Sequence, residues 1–447
     1  MSKQESDKSP EKKSSSQELI QKLSYSVSLA DGNLLRQLAS AVSLYLEEYK
    51  DSKDNLITCE KLNELVEKLG EARGLPLKIA QVLAFLDPKA PLELHEVLEV
   101  IQSHRRGMPY DQVAKIFMQE FGCEPDTLFS EFGRQPVAAA SIAQVHRARM
   151  QDGTWVAVKV QYPEVRSRME SNFQDLEFAK VLAELLSGKT SDAKVLLADL
   201  QQTVLNECDF EREAQNQVRF YEAFKTDTEI IIPKVILSHS RKNILTSEWC
   251  NGKSWTEFKR TANHEERSQA GKIISRFYAN SVFGLRLFHA DPHPWNYLFT
   301  DGQVIFLDFG RVKPLTKEMC EQLHTFHQLI LSSDREGMKA FLSANKLIKV
   351  HSDKDFDNLW QVLLDNSHHL RQSGAVMISK DLLQKYRENM RDLGKTGGIE
   401  IVPEFFWLVM FVHNLMLGGR ADFAANVDWR QVLVQHMSVA ENKKPTS

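Results

Sequence analysis

Two aspartates and an asparagine fall within one stretch, residues 289–310, which reads HADPHPWNYLFTDGQVIFLDFG. Asp291 and Asp308 bracket the stretch, and Asn296 follows Asp291 by five positions. Phosphoryl transfer uses this combination, because one Asp accepts a hydroxyl proton while an Asn and the Asp of a D-F-G turn hold Mg²⁺ on nucleotide phosphates. The same residue types also cap turns. Since both halves occur at a suitable spacing, we favour the interpretation as a phosphoryl-transfer site.

The segment that must position Asp308 has the character of a β-strand. Gln303–Leu307 is a short, mostly apolar run, and the turn signal Asp301-Gly302 precedes it. We therefore predict a short hairpin that leads directly into the D-F-G turn.

A second predicted hairpin carries a lysine that suits nucleotide phosphates. Ser141–Met150 and Thr154–Gln161 read as two strands joined by an Asp-Gly turn. The second strand contains the run VAVK, which ends at Lys159 and is similar to the V-A-I-K strand whose Lys pairs with α- and β-phosphates. A Lys at the end of an apolar strand can equally be solvated, and without the carboxylates both interpretations would stand level.

The loop before this hairpin is unusual for a phosphate-binding loop. It contains alanines where glycines are expected, and alanine Cβ atoms limit both backbone approach and positive φ. Nucleotide contact here must therefore differ from that of an ordinary protein kinase. The loop residues predicted to contact the nucleotide are Ala138, Ala139, Ala140 and Ser141.

An acid-rich helix is predicted over Asn206–Phe224, and a hinge is predicted further along the chain. Glu213 is the natural partner for Lys159, because a kinase needs a helix-borne Glu to aim its Lys. Acidic residues on a helix often simply form its solvent-exposed face, and the spacing alone does not decide between that interpretation and a partner role for Glu213. Glu207 would lie on another face of the same helix. The strand Asn243–Trp249 would end at the hinge, with adenine against the backbone near Glu248 and Cys250.

Composition limits the remaining possibilities. The chain has 447 residues, 26% charged and 42% hydrophobic, which is typical of a soluble globular protein. A net charge of −4 gives no support for nucleic-acid binding, and five scattered cysteines without a C-x-x-C pair argue against disulfides or a Cys-based zinc site. The polar first residues lack the apolar core of a secretory signal, and the longest apolar run, Phe405–Val412, is far short of a membrane span. A cytoplasmic location is expected.

The pattern along the chain predicts four regions in an α+β fold. Residues 1–20 read as a disordered tail and residues 21–133 as a helical extension. Residues 134–252 would form a small lobe with its hinge, and residues 253–440 a mostly helical large lobe. The helices predicted beyond D-F-G are Glu318–Leu331, Arg335–Ala344, Phe356–His369, Asp381–Asp392 and Phe405–Leu417.

Together the motifs resemble the UbiB/AarF/ADCK family of atypical kinase-like proteins, and its coenzyme Q-linked branch best. The likeness runs from about residue 68 through the D-F-G turn, and weakly on to about residue 430. An ordinary protein kinase would lack the first, second and fourth of the segments that carry it. These segments are LPLKIAQ (75–81), PVAAASIAQVHRA (136–148), VAVKVQYPEV (156–165), NECDFEREAQN (206–216), HADPHPWN (289–296) and LDFG (307–310).

The resemblance implies a bilobal protein-kinase-like fold whose N-terminal extension covers the active site. In the family's K-x-G-Q motif, the Lys and Gln correspond to Lys78 and Gln81, and they fill the space where a protein kinase takes a peptide. The E-x-D motif of the family corresponds to Glu207 and Asp209. The resemblance implies that Lys78 pairs with its first acid, Glu207. The alanine-rich loop is implied to alter nucleotide preference.

The expected function is that of an atypical kinase or ATPase that binds ATP or ADP with Mg²⁺. The resemblance implies that it acts on, or is driven by, a lipid-like or phenolic quinone precursor in ubiquinone biosynthesis. The alternative is a nucleotide-gated lipid-binding module or scaffold that transfers no phosphate. Membrane contact from the surface and assembly into a homodimer or a biosynthetic complex stay open, and no nucleic-acid partner is expected.

Overall fold

The computed structural model describes residues 107–140, 142–174, 201–202, 205–379, 382, 385, 389, 399–401, 423 and 425–442. The predicted tail and the segment with Lys78 and Gln81 lie outside the described residues, as does Ser141. The predicted helix Phe405–Leu417 and most of Asp381–Asp392 lie outside them as well. Mixed helices and sheets confirm the predicted α+β class.

The small lobe is built on a five-stranded antiparallel sheet. Its main path runs β1-β3-β4-β6, and β2 pairs with β3 at one end. The β3–β4 hairpin turns at Gly153, whose φ of 90° suits glycine, as the Asp-Gly signal predicted. The strands are β1 Glu131–Phe132, β2 Ala138–Ala139, β3 Ala143–Arg149, β4 Trp155–Gln161 and β6 Ile244–Glu248.

The alternation of strand β4 determines where its lysine lies. Val156, Val158 and Val160 are completely buried in the small-lobe core, whereas Ala157 and Lys159 are only half-buried. Successive side chains of a strand point to opposite faces. Lys159 therefore lies on the face of the sheet opposite the core, which is the face a ligand can reach.

Helices cover the core face of this sheet. Helix α1 packs Val113, Ile116 and Phe117 into the small-lobe core at helical spacing, and it ends at Gly122, which adopts φ 73°. Residues 108–132 thus pack into the same core as the sheet. The helices of this part are α1 Tyr110–Phe121, α2 Pro125–Leu128, α3 Val165–Gln174 and α4 Phe210–Phe224, with a 3₁₀ turn over Leu237–His239.

One predicted helix is in fact two elements. The pattern predicted a single helix over Asn206–Phe224, but α4 begins at Phe210, and Glu207 belongs to a separate helical turn. Asp209 separates them because its backbone is extended and its side chain accepts a hydrogen bond from the Arg212 N–H, 3.0 Å away. The prediction that Glu207 and Glu213 share one helix was therefore wrong, although they do lie on different elements with different partners.

The large lobe combines helices with short strand pairs around an aromatic core. The hairpin β8–β9 pairs Tyr297 with Phe306, as predicted, and β7 pairs with β10 beside it. Phe277 stacks on Phe306 with ring centroids 3.8 Å apart, which holds the hairpin against helix α6. The strands are β5 Ile230–Ile231, β7 Leu287–His289, β8 Tyr297–Thr300, β9 Gln303–Phe306, β10 Val312–Pro314, β11 Ile348–Val350, β12 Val376–Met377, β13 Ile399–Ile401 and β14 Asn426–Val427.

Three of the helices predicted beyond the D-F-G turn lie within the described residues, and they agree with the structure to within a few residues, with one division; the helix Trp429–Asn442 was not predicted. The predicted helix Phe356–His369 begins earlier, at Asp353, and is interrupted at Ser367. The helices of the large lobe are α5 Trp255–Thr261, α6 His264–Ala279, α7 Lys317–Ser332, α8 Arg335–Ala344, α9 Asp353–Asn366, α10 His368–Arg371 and α11 Trp429–Asn442, with a π-helical turn over Asn280–Gly284.

A buried histidine makes the stability of the large lobe depend on pH. His327 is completely buried, its Nδ1 donates to the Leu323 carbonyl 2.6 Å away, and burial lowers its pKa to about 4. Below pH 6.5 this imidazole takes up a proton in the unfolded chain, whereas in the folded chain it stays neutral down to about pH 4. The free energy of unfolding therefore falls as the pH falls from 6.5. From pH 7 to pH 5 this histidine should cost about 2 kcal/mol of unfolding free energy.

Urea unfolding of His327→Asn at both pH values tests this prediction. The Asn amide can still donate to the Leu323 carbonyl, but it does not titrate in this range. The loss of stability from pH 7 to pH 5 should therefore be smaller in the variant by about 2 kcal/mol. Equal losses in both proteins would show that His327 does not contribute.

Candidate active site

Three charged side chains predicted from distant motifs meet on the ligand-accessible face of the small-lobe sheet. The Lys159 ammonium lies 2.8 and 3.0 Å from the two carboxylate oxygens of Glu213. It also lies 3.3 Å from Oδ2 of Asp308, which belongs to the large lobe. Strand β4 provides the Lys, helix α4 the Glu and the D-F-G turn the Asp. The ion pair between Lys159 and Asp308 therefore joins the two lobes at the predicted site.

Burial and charge act against each other in this triad. Burial alone would lower the pKa of Lys159, but Asp308 and Glu213 raise it above its usual value, so the ammonium stays charged. Glu213 is only 1% exposed, and burial raises the pKa of its carboxyl to about 7. The nearby Asp308 also raises this pKa, whereas Lys159 lowers it. Two acids around one cation leave this site with a local excess of negative charge, which a metal ion would offset.

The D-F-G turn is held by its backbone. The Gly310 N–H donates to Oδ1 of Asp308 at 3.0 Å, and Asn216 donates to the Phe309 carbonyl at 3.1 Å. The buried His289 donates from Nε2 to the Asp308 carbonyl, 2.6 Å away. These bonds fix the direction of the Asp308 carboxylate before any ligand binds.

Asp291 and Asn296 lie beside this turn. A 3₁₀ turn over Pro294–Asn296 brings the Asn296 amide within 3.3 Å of the Asp291 carbonyl, to which it donates. The Leu307 N–H donates to the Asn296 carbonyl at 2.9 Å, so Asn296 is held next to the residue that precedes Asp308. The structure thus brings together all five residues predicted for catalysis and metal binding.

Arg311 is a site residue that the sequence analysis missed. Its Nε lies 2.6 Å from Oε1 of Glu207, and its Nη1 lies 3.6 Å from Oδ2 of Asp291. An Arg directly after D-F-G gives no spacing signal of its own. The signal lies in the strand pairing β7–β10, which places residue 311 opposite the residue before Asp291.

Asp209 caps helix α4 in the structure. The Lys78 and Gln81 side chains, with which the family resemblance groups it, lie outside the described residues. We expect Asp209→Ala to lower the unfolding free energy by about 1 kcal/mol, because a helix N-terminus loses its acceptor. Asp209→Ser keeps a capping oxygen and should lose only a few tenths of that. Urea unfolding of both variants distinguishes capping from another role, since equal losses would show that a carboxylate itself is required.

The alanine-rich loop is partly a strand of the sheet. Ala138 and Ala139 form β2, opposite Val145 and Gln144 of β3. The Val137 and Ala140 N–H groups donate to carbonyls of β3, at 2.8 and 2.7 Å. These two donors are used within the sheet, and contact of a nucleotide with this loop stays a prediction.

The predicted hinge residues lie at the end of strand β6, with Glu248 as its last residue and Cys250 just beyond it. The Glu248 N–H donates to the Lys234 carbonyl, and the Trp249 N–H donates to the Trp155 carbonyl. Burial raises the pKa of the Cys250 thiol to about 11, so this cysteine is a neutral group at the hinge. Contact of adenine with Glu248 and Cys250 stays a prediction.

The donor chemistry of the site fits Mg²⁺ that is shared with phosphates. Asp308 and Asn296 supply oxygen ligands, which Mg²⁺ prefers, and it usually takes only one or two carboxylates from the protein. Among the described residues, no group of three or more His, Cys, Asp or Glu side chains is arranged to hold a metal. A metal bound here would therefore need further ligands from a nucleotide or from water.

Two lobes joined at a Lys–Glu–Asp triad define an atypical kinase-like protein. Residues 100–342 match the ABC1 atypical kinase-like domain, and the chain belongs to that family. The predicted UbiB/AarF/ADCK family is thus confirmed.

The relatives agree with the predicted branch. The chain is 29% identical over 323 residues to "Atypical kinase COQ8, mitochondrial" of Saccharomyces cerevisiae, covering 71% of this chain and 64% of that protein. It is 27% identical to "AarF domain-containing protein kinase 1" of Xenopus laevis, covering 79% and 72%. The name COQ8, carried by two yeast relatives, fits the coenzyme Q-linked branch. The matched region spans just under two thirds of the Saccharomyces cerevisiae protein.

A solved structure shows the same fold. Rv3197 of Mycobacterium tuberculosis, determined as a complex with erythromycin, has a TM-score of 0.59 at 21% identity, covering 88% of this chain and 97% of that one. This likeness concerns the fold alone. Over the ranges that the structure describes, no helix is both long and apolar enough to span a membrane.

Proposed function

We propose that this chain binds ATP with Mg²⁺ between its lobes and either transfers the terminal phosphoryl group or hydrolyses the nucleotide. The observation that carries the proposal is the Lys159–Glu213–Asp308 triad, assembled from three motifs with ion-pair distances of 2.8 and 3.3 Å. A protein that had lost nucleotide chemistry would have no need to keep a buried Glu beside this Lys, since burying acids is costly.

Each residue has a separate task in the proposed reaction. Lys159 binds the α- and β-phosphates and is aimed by Glu213, as in kinases. Asn296 and Asp308 are the residues that would hold Mg²⁺, which when bound neutralises charge on the phosphates. Asp291 accepts the proton of a hydroxyl or water that attacks the γ-phosphate. Catalysis would then consist mainly of positioning and charge neutralisation.

The names of two relatives support a proposal for the acceptor class. Two relatives carry the name COQ8, and we infer a role in ubiquinone biosynthesis with a lipid-like or phenolic quinone precursor as acceptor or activator. Contact with a membrane surface and assembly with a second copy or with biosynthetic enzymes belong to the same proposal. Those relatives are named as mitochondrial, and the cytoplasmic location expected here stays a prediction.

A second candidate is a nucleotide-gated lipid-binding module or scaffold that transfers no phosphate. The strand-like alanine loop favours it, because Val137 and Ala140 use their N–H groups within the sheet. Phosphate release from Mg-ATP, measured with and without liposomes and a phenolic quinone precursor, separates the candidates. Activity that rises with lipid or phenol supports the enzyme. Nucleotide binding without turnover under every condition would favour the module.

A further inference from the structure

The backbone places Arg311 beside the proposed catalytic base. Strands β7 and β10 pair antiparallel, with His289 opposite Val312. The pairing continues one step further, because the Ala290 N–H donates to the Arg311 carbonyl at 2.7 Å. Asp291 follows this bond directly. The pairing of β7 with β10 therefore fixes the backbone of Arg311 close to the backbone of Asp291.

The side chain of Arg311 connects two acids from different parts of the chain. Its guanidinium contacts Glu207 at 2.6 Å and Asp291 at 3.6 Å. All three side chains are largely withdrawn from solvent, with exposed fractions of 13% for Arg311, 7% for Glu207 and 20% for Asp291. Isolated buried charges are costly, so such a group persists only when its members satisfy one another.

The planar guanidinium explains why an Arg suits this position. It carries five N–H donors in a rigid fork and can contact two carboxylates through different nitrogens. Here the guanidinium forms ion pairs with both acids, through Nε with Glu207 and through Nη1 with Asp291, so the charge of Glu207 holds the guanidinium beside Asp291. A Lys ammonium at the same position is a point charge on a flexible stem. It would retain the charge and lose much of the orientation.

We propose that Arg311 is a positioning residue, which Glu207 orients and which holds the Asp291 carboxylate in place for proton abstraction. The inference rests on the proposed function, because it assigns a task to a residue that acts through the base. Misplacing a base by about 1 Å can cost on the order of 100-fold in rate. The assignment therefore predicts that the main loss is in kcat, because the ion pairs of Arg311 are with Glu207 and with the proposed base, Asp291.

The test is steady-state Mg-ATP hydrolysis by the full chain carrying Arg311→Gln. We expect kcat to fall about 10- to 100-fold, while KM for Mg-ATP changes less than about threefold. Arg311→Lys should recover part of the loss. Glu207→Gln should also lower kcat, and the double variant Arg311→Gln/Glu207→Gln should be no slower than Arg311→Gln alone, because the two residues act as one unit.

Arg276→Gln is the matched control. Arg276 also bridges two acids, Asp227 at 2.9 Å and Glu229 at 2.8 Å, and its side chain is 30% exposed. It contacts none of the proposed site residues, so this variant should lose some stability to urea and keep its kcat within about twofold. If Arg311→Gln does not fold, Arg311→Lys and Glu207→Gln carry the same test, because each keeps part of the cluster.

The outcomes separate this inference from the function on which it rests. An unaltered chain that turns over Mg-ATP, with Arg311→Gln within twofold of it, overturns the inference alone. A change confined to KM, or losses that multiply in the double variant, also overturns it. An unaltered chain with no more turnover than Asp308→Ala overturns the proposed function and this inference together.

Discussion

Replacing Asp308 by Ala should lower Mg-ATP turnover about 10²- to 10³-fold, which corresponds to roughly 3–4 kcal/mol of transition-state stabilisation. Asp308 is the only carboxylate among the described residues that both contacts Lys159 and is proposed to bind the metal. The variant therefore loses the proposed metal site and one partner of the Lys. Its backbone remains fixed by His289, so the turn itself should persist.

The measurement is phosphate release from ATP over a range of Mg²⁺ concentrations, together with thermal shifts caused by Mg-ADP. Asp301→Ala is the matched control, since Asp301 is an exposed acid at the tip of the preceding hairpin. It should retain turnover within about twofold, as is usual for surface substitutions. Turnover of Asp308→Ala within a few-fold of the unaltered chain would refute the assignment of the metal site.

Replacing Lys159 by Ala should lower turnover by a similar factor and should also destabilise the fold. The turnover falls about 10²- to 10³-fold because the nucleotide phosphates lose their fixed cation. The stability falls, by up to about 3 kcal/mol, because Glu213 is 1% exposed and loses its closest cation, so its already raised pKa of about 7 rises further and the carboxyl must take up a proton or stay charged without a partner. Urea unfolding and phosphate release measure the two effects separately.

The double variant Lys159→Ala/Glu213→Gln distinguishes the two effects. Replacing Glu213 by Gln should return most of the lost stability, because no buried carboxyl remains that must take up a proton or stay charged without a cation. Turnover should stay low, because the cation that the phosphates need is still absent. Recovery of turnover along with stability would show that Lys159 serves the fold and not the chemistry.

The local signals in the sequence were enough to predict most of the site. Lys159 and Asp308 lie 149 positions apart, yet Lys159 lies in a short strand and Asp308 follows one, each strand has its own turn signal, and their motifs are parts of one known reaction. The strand alternation that exposes Lys159 is visible in its valine spacing. Such features depend on neighbours within a few residues, and for this reason sequence reasoning reaches them.

Two features escaped prediction because they depend on contacts between distant segments. The break between Glu207 and helix α4 has no Pro or Gly to mark it, and it arises because Asp209 caps the helix. Arg311 joins the site through the register of two short strands, which the sequence pattern does not determine. The charge partners of Arg311 could therefore not be predicted from the sequence, whereas the motif residues could.

The pairing of the alanine loop with its own sheet has a consequence for how tightly a nucleotide can be gripped. Strand Ala138–Ala139 is paired with β3, and the N–H groups of Val137 and Ala140 donate to β3 carbonyls. The loop therefore has fewer backbone amides that could donate to a triphosphate. Retention of the proposed nucleotide would then depend mainly on the charged residues on the other side of the cleft, Lys159 and Asp308 among them. Removal of Mg²⁺ should then weaken the proposed nucleotide binding, because the metal would offset the carboxylate charge at this site.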